Sequence, residues 1–131
     1  VFNNGQMRRD FTYIDDIVTG VIACLDKPAT ADPAFDAANP DPATSWAPHR
    51  LFNIGNAQPT ELLRFIDLLE QALGRSAIKD FQPMQPGDVV ATAADTSALE
   101  AWVGFRPSTS IEQGVEAFAR WYRDVYVPMV A

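Results

Sequence analysis

The 131 residues contain a single cysteine and a single histidine. With one thiol, Cys24, no disulfide can form within the chain, and a cytoplasmic compartment is the expected one. Cys24 stands among Val21, Ile22 and Leu25 and reads as a small buried hydrophobe rather than a reactive thiol. His49 has no second histidine, cysteine or acidic cluster at ligand spacing, so neither a metal centre nor a Ser-His-Asp triad can be built around it. Positive charge is scarce as well: ten Lys and Arg face seventeen Asp and Glu, for a net charge of −7. No basic stretch offsets this, so no nucleic-acid partner is expected. No run approaches the roughly 18 apolar residues that span a bilayer, and no leader-like segment is visible, so no membrane partner is expected either. GxGxxG and GxxxxGK followed by Ser or Thr are both missing, and with them the usual cradles for a dinucleotide or a triphosphate. None of Tyr13, Tyr122 and Tyr126 has a lysine four residues on, so a tyrosine–lysine proton-transfer pair at helical spacing is missing too. By itself the chain carries no visible catalytic engine.

What is present describes one ordinary globular domain, 47% apolar and 21% charged. "RDFTYIDDIVTGV" joins a polar run to a short alternating strand over Phe11 to Ile14, then to a helix from about Asp15 to Lys27. In that helix Ile17, Val18, Val21, Ile22 and Leu25 share one face, while Asp15 and Asp16 suit the N-cap and first turn. Residues 29–48 are rich in Ala, Pro, Asp and Thr without a period and are expected to form a long, mobile surface loop, either a lid or a tolerated excursion. Leu51, Phe52 and Ile54 form an expected strand closed by Gly55. "QPTELLRFIDLLEQALG" is the clearest helix, opened by Pro59 and Thr60 and stopped by Gly74, with Leu62, Leu63, Phe65, Ile66, Leu69 and Leu73 inward. Ile78 to Phe81 alternates like a strand and "QPGD" makes a turn. "DTSALEAWVGF" reads as a short helix capped by Asp95 or Thr96, with Leu99 and Trp102 inward. A last helix follows, with Thr109 and Glu112 spaced as a capping box and Ile111, Val115, Phe118, Tyr122 and Val125 along its inner face.

This order favours an α/β architecture with a mostly parallel arrangement. Three short strands are too few to make a covered parallel sheet. The sheet is therefore expected to be incomplete, and residues 1–131, which begin at Val1 without a methionine, to be the C-terminal portion of a larger α/β protein. A scattered set of polar residues is placed to meet a ligand: Arg9 at the start of the first strand, Gln85 and Asp88 in the "MQPGD" turn, and Asn53 with Asn56 around "IG". A forked guanidinium suits a phosphate and a turn carboxylate suits a ribose diol. The residues alone leave the opposite reading open, in which Arg9 pairs with a neighbouring aspartate and Asp88 closes its turn.

"RDFTYIDDIVTGV", "LFNIGN", "PTELLRFIDLLEQALG", "PMQPGDVVATAADTSAL" and "GFRPSTSIEQGVEAFARWYRDVY" occur in the order found in extended short-chain dehydrogenase/reductases that act on nucleotide sugars. The chain most resembles their UDP-glucuronate 4-epimerase branch, through "PMQPGDV", the "WYR" near the end and the "APHR" before "NIG". Only the loop over 29–46 is weakly matched. The resemblance implies the substrate-binding, C-terminal part of an NAD-dependent enzyme of Rossmann type, with few short strands and four helices. It places Arg9 on the nucleotide diphosphate and Asp88 on the uridine ribose, while Gln85 stands where several relatives carry a phosphate-binding arginine. NAD and the catalytic Tyr/Lys pair would belong to a preceding part, where C4 of the sugar is oxidised to a ketone and reduced from the other face. The implied partners are a UDP-sugar and a second copy of the chain. The implied pathway is supply of polysaccharide or lipopolysaccharide precursors. A 4,6-dehydratase or decarboxylase of the same superfamily, and a non-catalytic α/β interaction module, remain the alternatives. Unpaired edges at 7–14 and 50–55 are expected to make the piece self-associate.

Overall fold

The computed structural model describes residues 1–130. A tight turn at Phe2–Gly5, with Asn3 and Asn4 in the left-handed region (φ 48° and 49°), leads into β1 (Arg8–Arg9). Then follow α1 (Ile14–Asp26), β2 (Thr60–Glu61), α2 (Leu62–Leu73), α3 (Ser97–Val103) and α4 (Ile111–Trp121). A π-helical turn at Tyr122–Tyr126 carries the last helix into α5 (Val127–Val130). The architecture is α/β with four helices longer than one turn and a single two-stranded ladder.

That ladder differs from the expected one. β1 pairs with β2 antiparallel, Arg8 opposite Glu61 and Arg9 opposite Thr60. On the other side of β1 a single parallel bridge joins Arg8 to Ala91, through Arg8 N–H to the Val90 carbonyl at 2.9 Å and Thr92 N–H to the Arg8 carbonyl at 3.2 Å. The three expected strands at 11–14, 51–54 and 78–81 do not form ladders. At Phe11 to Tyr13 the alternation serves packing against helices: Phe11 stacks on Phe65 of α2 at 4.2 Å, and Tyr13 lies against Gly114 of α4. Thr60 and Glu61, read as the opening of a helix, are instead strand, because Leu62 N–H reaches back to the Met7 carbonyl at 2.9 Å.

The helices obey local chemistry more closely. Gly74 and Gly104 end α2 and α3 in the left-handed conformation (φ 65° and 70°), which only glycine adopts without steric cost. α2 and α4 pack on each other around Leu68, Val115 and Ala119, with Arg64 and Glu112 paired at 3.1 Å along the rim. Leu68, absent from the expected inner face, is the most buried residue of α2. The capping box of α4 is Ser110 with Gln113, one residue later than the expected Thr109 and Glu112. The reason is tertiary: Asp16 Oδ2 takes the N–H groups of Ser108 (3.2 Å) and Thr109 (2.9 Å), which keeps both outside the helix. Of the expected inner residues of this helix, Val115 is buried, while Phe118, Tyr122 and Val125 are exposed. The run Ile111–Val130 extends about 30 Å and α2 only about 18 Å, and Arg123 Nη1, in the π-helical turn, reaches the Ala72 carbonyl at the end of α2 at 2.5 Å.

α1 is reversed relative to expectation. Val18, Val21, Ile22 and Leu25 are exposed, and its inward side is the stripe Tyr13, Asp16, Ile17, Gly20, Ala23 and Cys24. Gly20 is buried because Ile54 and Phe105 lie against it, each 3.4 Å from where a Cβ would stand. Cys24 is only half-buried. Over 29–48 the period-free sequence resolves into three aspartate turns. Asp32, Asp36 and Asp41 each accept the N–H two residues on, at 3.0, 2.9 and 2.8 Å. Arg50 ties this segment back through Asp32 at 3.2 Å and lies over the Trp102 ring, which also receives Lys27.

Candidate nucleotide-facing site

β1 sends its two arginines in different directions. Arg8 donates to the Pro59 carbonyl at 3.0 Å and is otherwise exposed. Arg9 turns toward residues 88–90: Nη1 donates to the Arg8 carbonyl at 3.0 Å and the Val90 carbonyl at 3.3 Å, and Nη2 to Asp88 Oδ1 at 2.9 Å. Asp88 Oδ1 also accepts the Val89 N–H at 2.7 Å. The "QPGD" turn is closed by Asp88 N–H to the Gln85 carbonyl at 3.2 Å, with Gly87 at φ 85°. Gln85 is exposed in the same turn. Of the five polar residues singled out in the sequence, Arg9 and Asp88 thus meet although they are 79 positions apart, and Gln85 joins them through its carbonyl. Arg9 and Asp88 face each other, with side chains 25% and 33% exposed.

Behind this pair lies a junction that sequence reasoning passed over. Asp10 Oδ2 accepts the N–H groups of Ala57 and Ala94, both at 3.0 Å, and Oδ1 accepts that of Gln58 at 3.4 Å. Its own N–H donates to Thr92 Oγ1 at 3.3 Å. One carboxylate so ties β1 to the segment before β2 and to the segment after Asp88. Gly55 admits this approach, since a Cβ there would overlap Ala94 Cβ and stand 2.9 Å from Asp10 Oδ2. The same bond holds Ala57 in the left-handed region at φ 55°. Nothing in the sequence marked Asp10, which stands just before the strand expected over Phe11 to Ile14.

The other polar candidates point elsewhere. Asn53 Nδ2 donates to the Asp95 carbonyl at 3.3 Å and Asn56 Nδ2 to the Thr109 carbonyl at 3.2 Å, wiring the "NIGN" segment to the starts of α3 and α4. Asp15 and Asp16 lie in the first turn of α1, but the N-cap is Tyr13 and Asp16 serves α4. His49 is exposed, with Nε2 3.4 Å from the Pro42 carbonyl. Among the described residues no group of three His, Cys, Asp or Glu is placed to hold a metal, and no helix is long and apolar enough to cross a membrane. An apolar cleft of about 310 Å³ runs between residues 11–13, α2 and α4, lined by Phe11, Tyr13, Phe65, Leu69, Ile111 and Phe118. It offers few polar groups to a ligand.

No family model matches the chain. Curated relatives do. The chain is 49% identical over 126 residues to an uncharacterized 37.6 kDa protein of Escherichia coli O111:H-, covering 96% of this chain and 38% of that one. It is 42% identical over 130 residues to a "probable UDP-glucuronate 4-epimerase" of Rhizobium meliloti, covering 96% and 37%. Among solved structures, UDP-glucuronic acid 4-epimerase of Bacillus cereus, in complex with UDP-glucuronic acid and NAD, superposes with a TM-score of 0.71 at 29% identity over 96% of this chain and 35% of that one. The match falls on the C-terminal part of these enzymes. Over nearly its whole length the chain is similar to the C-terminal part of UDP-glucuronate 4-epimerases and related NAD-dependent short-chain dehydrogenase/reductase epimerases and dehydratases.

The chain spans less than two-fifths of the length of the relatives it matches. Arg9 and Asp88 form one polar corner beside the Gln85–Asp88 turn, and Asp10 ties together the backbone next to it. The segment does not itself fit the dinucleotide seen in the Bacillus cereus structure. Gly5, Gly20, Gly55, Gly74, Gly87, Gly104 and Gly114 are dispersed, and none lies in a glycine-rich strand-to-helix turn that would receive a pyrophosphate.

Proposed function

We propose that this chain is the nucleotide-gripping part of an NAD-dependent nucleotide-sugar epimerase, acting on UDP-glucuronate and inactive when detached from the rest of such an enzyme. The observation that carries the reading is the convergence of Arg9, Asp88 and Gln85 on one corner, in a chain 42% identical to a probable UDP-glucuronate 4-epimerase. In this reading Arg9 takes the diphosphate, because its planar fork satisfies two phosphate oxygens at once. Asp88 accepts from the ribose hydroxyls, and exposed Gln85 adds a neutral contact to the phosphates. NAD, held by another part of the enzyme, supplies the hydride acceptor and donor for the change at C4.

The contribution of these residues is positional. Holding the nucleotide at a distance from the reacting carbon lets its binding energy place the sugar, and a grip that persists while a keto sugar turns over keeps the intermediate from escaping. The enzyme works in the cytoplasm, as a homodimer, in supply of activated sugars for surface polysaccharide.

Calorimetry of UDP binding to the full-length enzyme with Arg9→Ala tests the site. A loss of about tenfold or more is expected for removal of a charge-assisted phosphate contact. Unchanged affinity takes Arg9 out of the phosphate site.

A further inference from the structure

The two groups proposed to grip the nucleotide hold each other. Arg9 Nη1 faces the carbonyls of Arg8 and Val90, which fix the plane of the guanidinium. Nη2 has two contacts, the Met7 thioether at 4.0 Å and Asp88 Oδ1 at 2.9 Å, so its one charged partner is Asp88. The Val89 N–H, donating to the same oxygen at 2.7 Å, keeps the carboxylate there. A phosphate entering a fork-to-fork arrangement needs the place Asp88 Oδ1 occupies.

We propose that Asp88 is a built-in competitor for the anion site of Arg9, displaced when a diphosphate binds and only then turned toward the ribose. This rests on the nucleotide-binding reading above and specifies how that site is filled. The chemistry is an exchange of acceptors: Nη2 gives up a carboxylate oxygen for a phosphate oxygen, and the carboxylate gives up a guanidinium for hydroxyl donors. A partly exposed ion pair is weak enough to be exchanged, since such pairs change an equilibrium by no more than about fivefold. The arrangement also gives selectivity. A phosphate without a ribose must evict Asp88 and leaves it without a new partner, whereas a nucleoside diphosphate supplies one. Pyrophosphate alone should therefore bind less well than its charge warrants.

The test uses the full-length enzyme with pyrophosphate and with UDP, following the Arg9 Nε–H and Val89 N–H resonances by NMR alongside affinities. In the wild-type enzyme both resonances are expected to move with either ligand, since Val89 loses its acceptor when Asp88 leaves. Asp88→Asn is expected to tighten pyrophosphate about two- to fivefold and to weaken UDP. Asp80→Asn, which removes the same charge elsewhere, is the control and should leave both unchanged. Movement of Arg9 with Val89 unmoved, or a pyrophosphate affinity equal in wild type and Asp88→Asn, overturns the competition while leaving Arg9 as a phosphate ligand. No response of Arg9 to either ligand in either protein overturns the nucleotide-binding reading and the competition together.

Discussion

The junction around Asp10 and the helix α1 are adjacent in the chain and opposite in construction. At the junction three stretches of backbone converge on one carboxylate, Gly55 is pressed against Ala94, and Arg9 and Asp88 sit on the result. α1 touches the remainder through a stripe of small residues and through Asp16 and Lys27, while its large aliphatics Val18, Val21, Ile22 and Leu25 face solvent. The first region is held by directional bonds that tolerate no extra atom. The second is apolar on both sides, a pattern that belongs to a helix buried between two layers. The comparison separates what positions the site from what would meet another surface.

Asp10→Ala should break the junction most severely. It strands the N–H groups of Ala57, Gln58 and Ala94, and a cost of about 3 kcal/mol is expected in urea unfolding. A loss under about 1 kcal/mol would show that the junction does not anchor the chain. Gly55→Ala acts on the same point by overlap rather than deletion and is expected to cost about 2 kcal/mol, with the Val90 and Ala94 amides shifted in NMR spectra.

Acid should loosen other ties next. The Ala34 N–H, together with Arg50, holds the Asp32 carboxyl below its ordinary 3.8; Ser97 does the same for Asp95. Lys79 with Ala77 lowers Glu70 below 4.5, and the N-terminal backbone of α4 with Arg64 lowers Glu112. Because folding depresses these pKa values, the stability they contribute is present in full above the ordinary carboxylate range. It is lost as pH falls through the lowered folded values. The thermal midpoint is therefore expected to be flat from pH 7 to about 5 and to drop below about 4, with Asp32→Asn shrinking the drop. Val21→Glu should do least to stability, within about 0.5 kcal/mol, because the position is already in water. If the outward face of α1 is where copies of the chain adhere, the same change lowers the associated fraction in light scattering at high concentration. A large destabilisation by Val21→Glu would erase the distinction between the two regions.

The residues of the candidate corner could be named beforehand, and what holds them in place could not. Arg9, Gln85 and Asp88 were singled out by residue type and by a motif resemblance, while the contact between Arg9 and Asp88, 79 positions apart, was not visible there. Asp10 gave no such sign, because a carboxylate that accepts three distant N–H groups looks in sequence like any surface aspartate. α1 misled for a related reason: five aliphatics have the spacing of an inward face, yet four of them, Val18, Val21, Ile22 and Leu25, face outward, and Gly20 on the other face allows close approach to Ile54 and Phe105. Thr109–Glu112 and Ser110–Gln113 fit the capping-box pattern equally, and the choice between them was made by Asp16, more than ninety positions away.

From sequence alone came the properties that depend on residue type and near neighbours: the helix stops at Gly74 and Gly104 and the glycine turn before Asp88. Backbone preference and side-chain chemistry act over a few bonds, so they can be read there. Tertiary structure alone decided the antiparallel pairing of β1 with β2, the outward turn of the α1 aliphatics, the anchoring by Asp10, and the meeting of Arg9 with Asp88. Each of these depends on which distant segment supplies a partner for a buried polar group or a close-packed surface, and local sequence does not encode that distance.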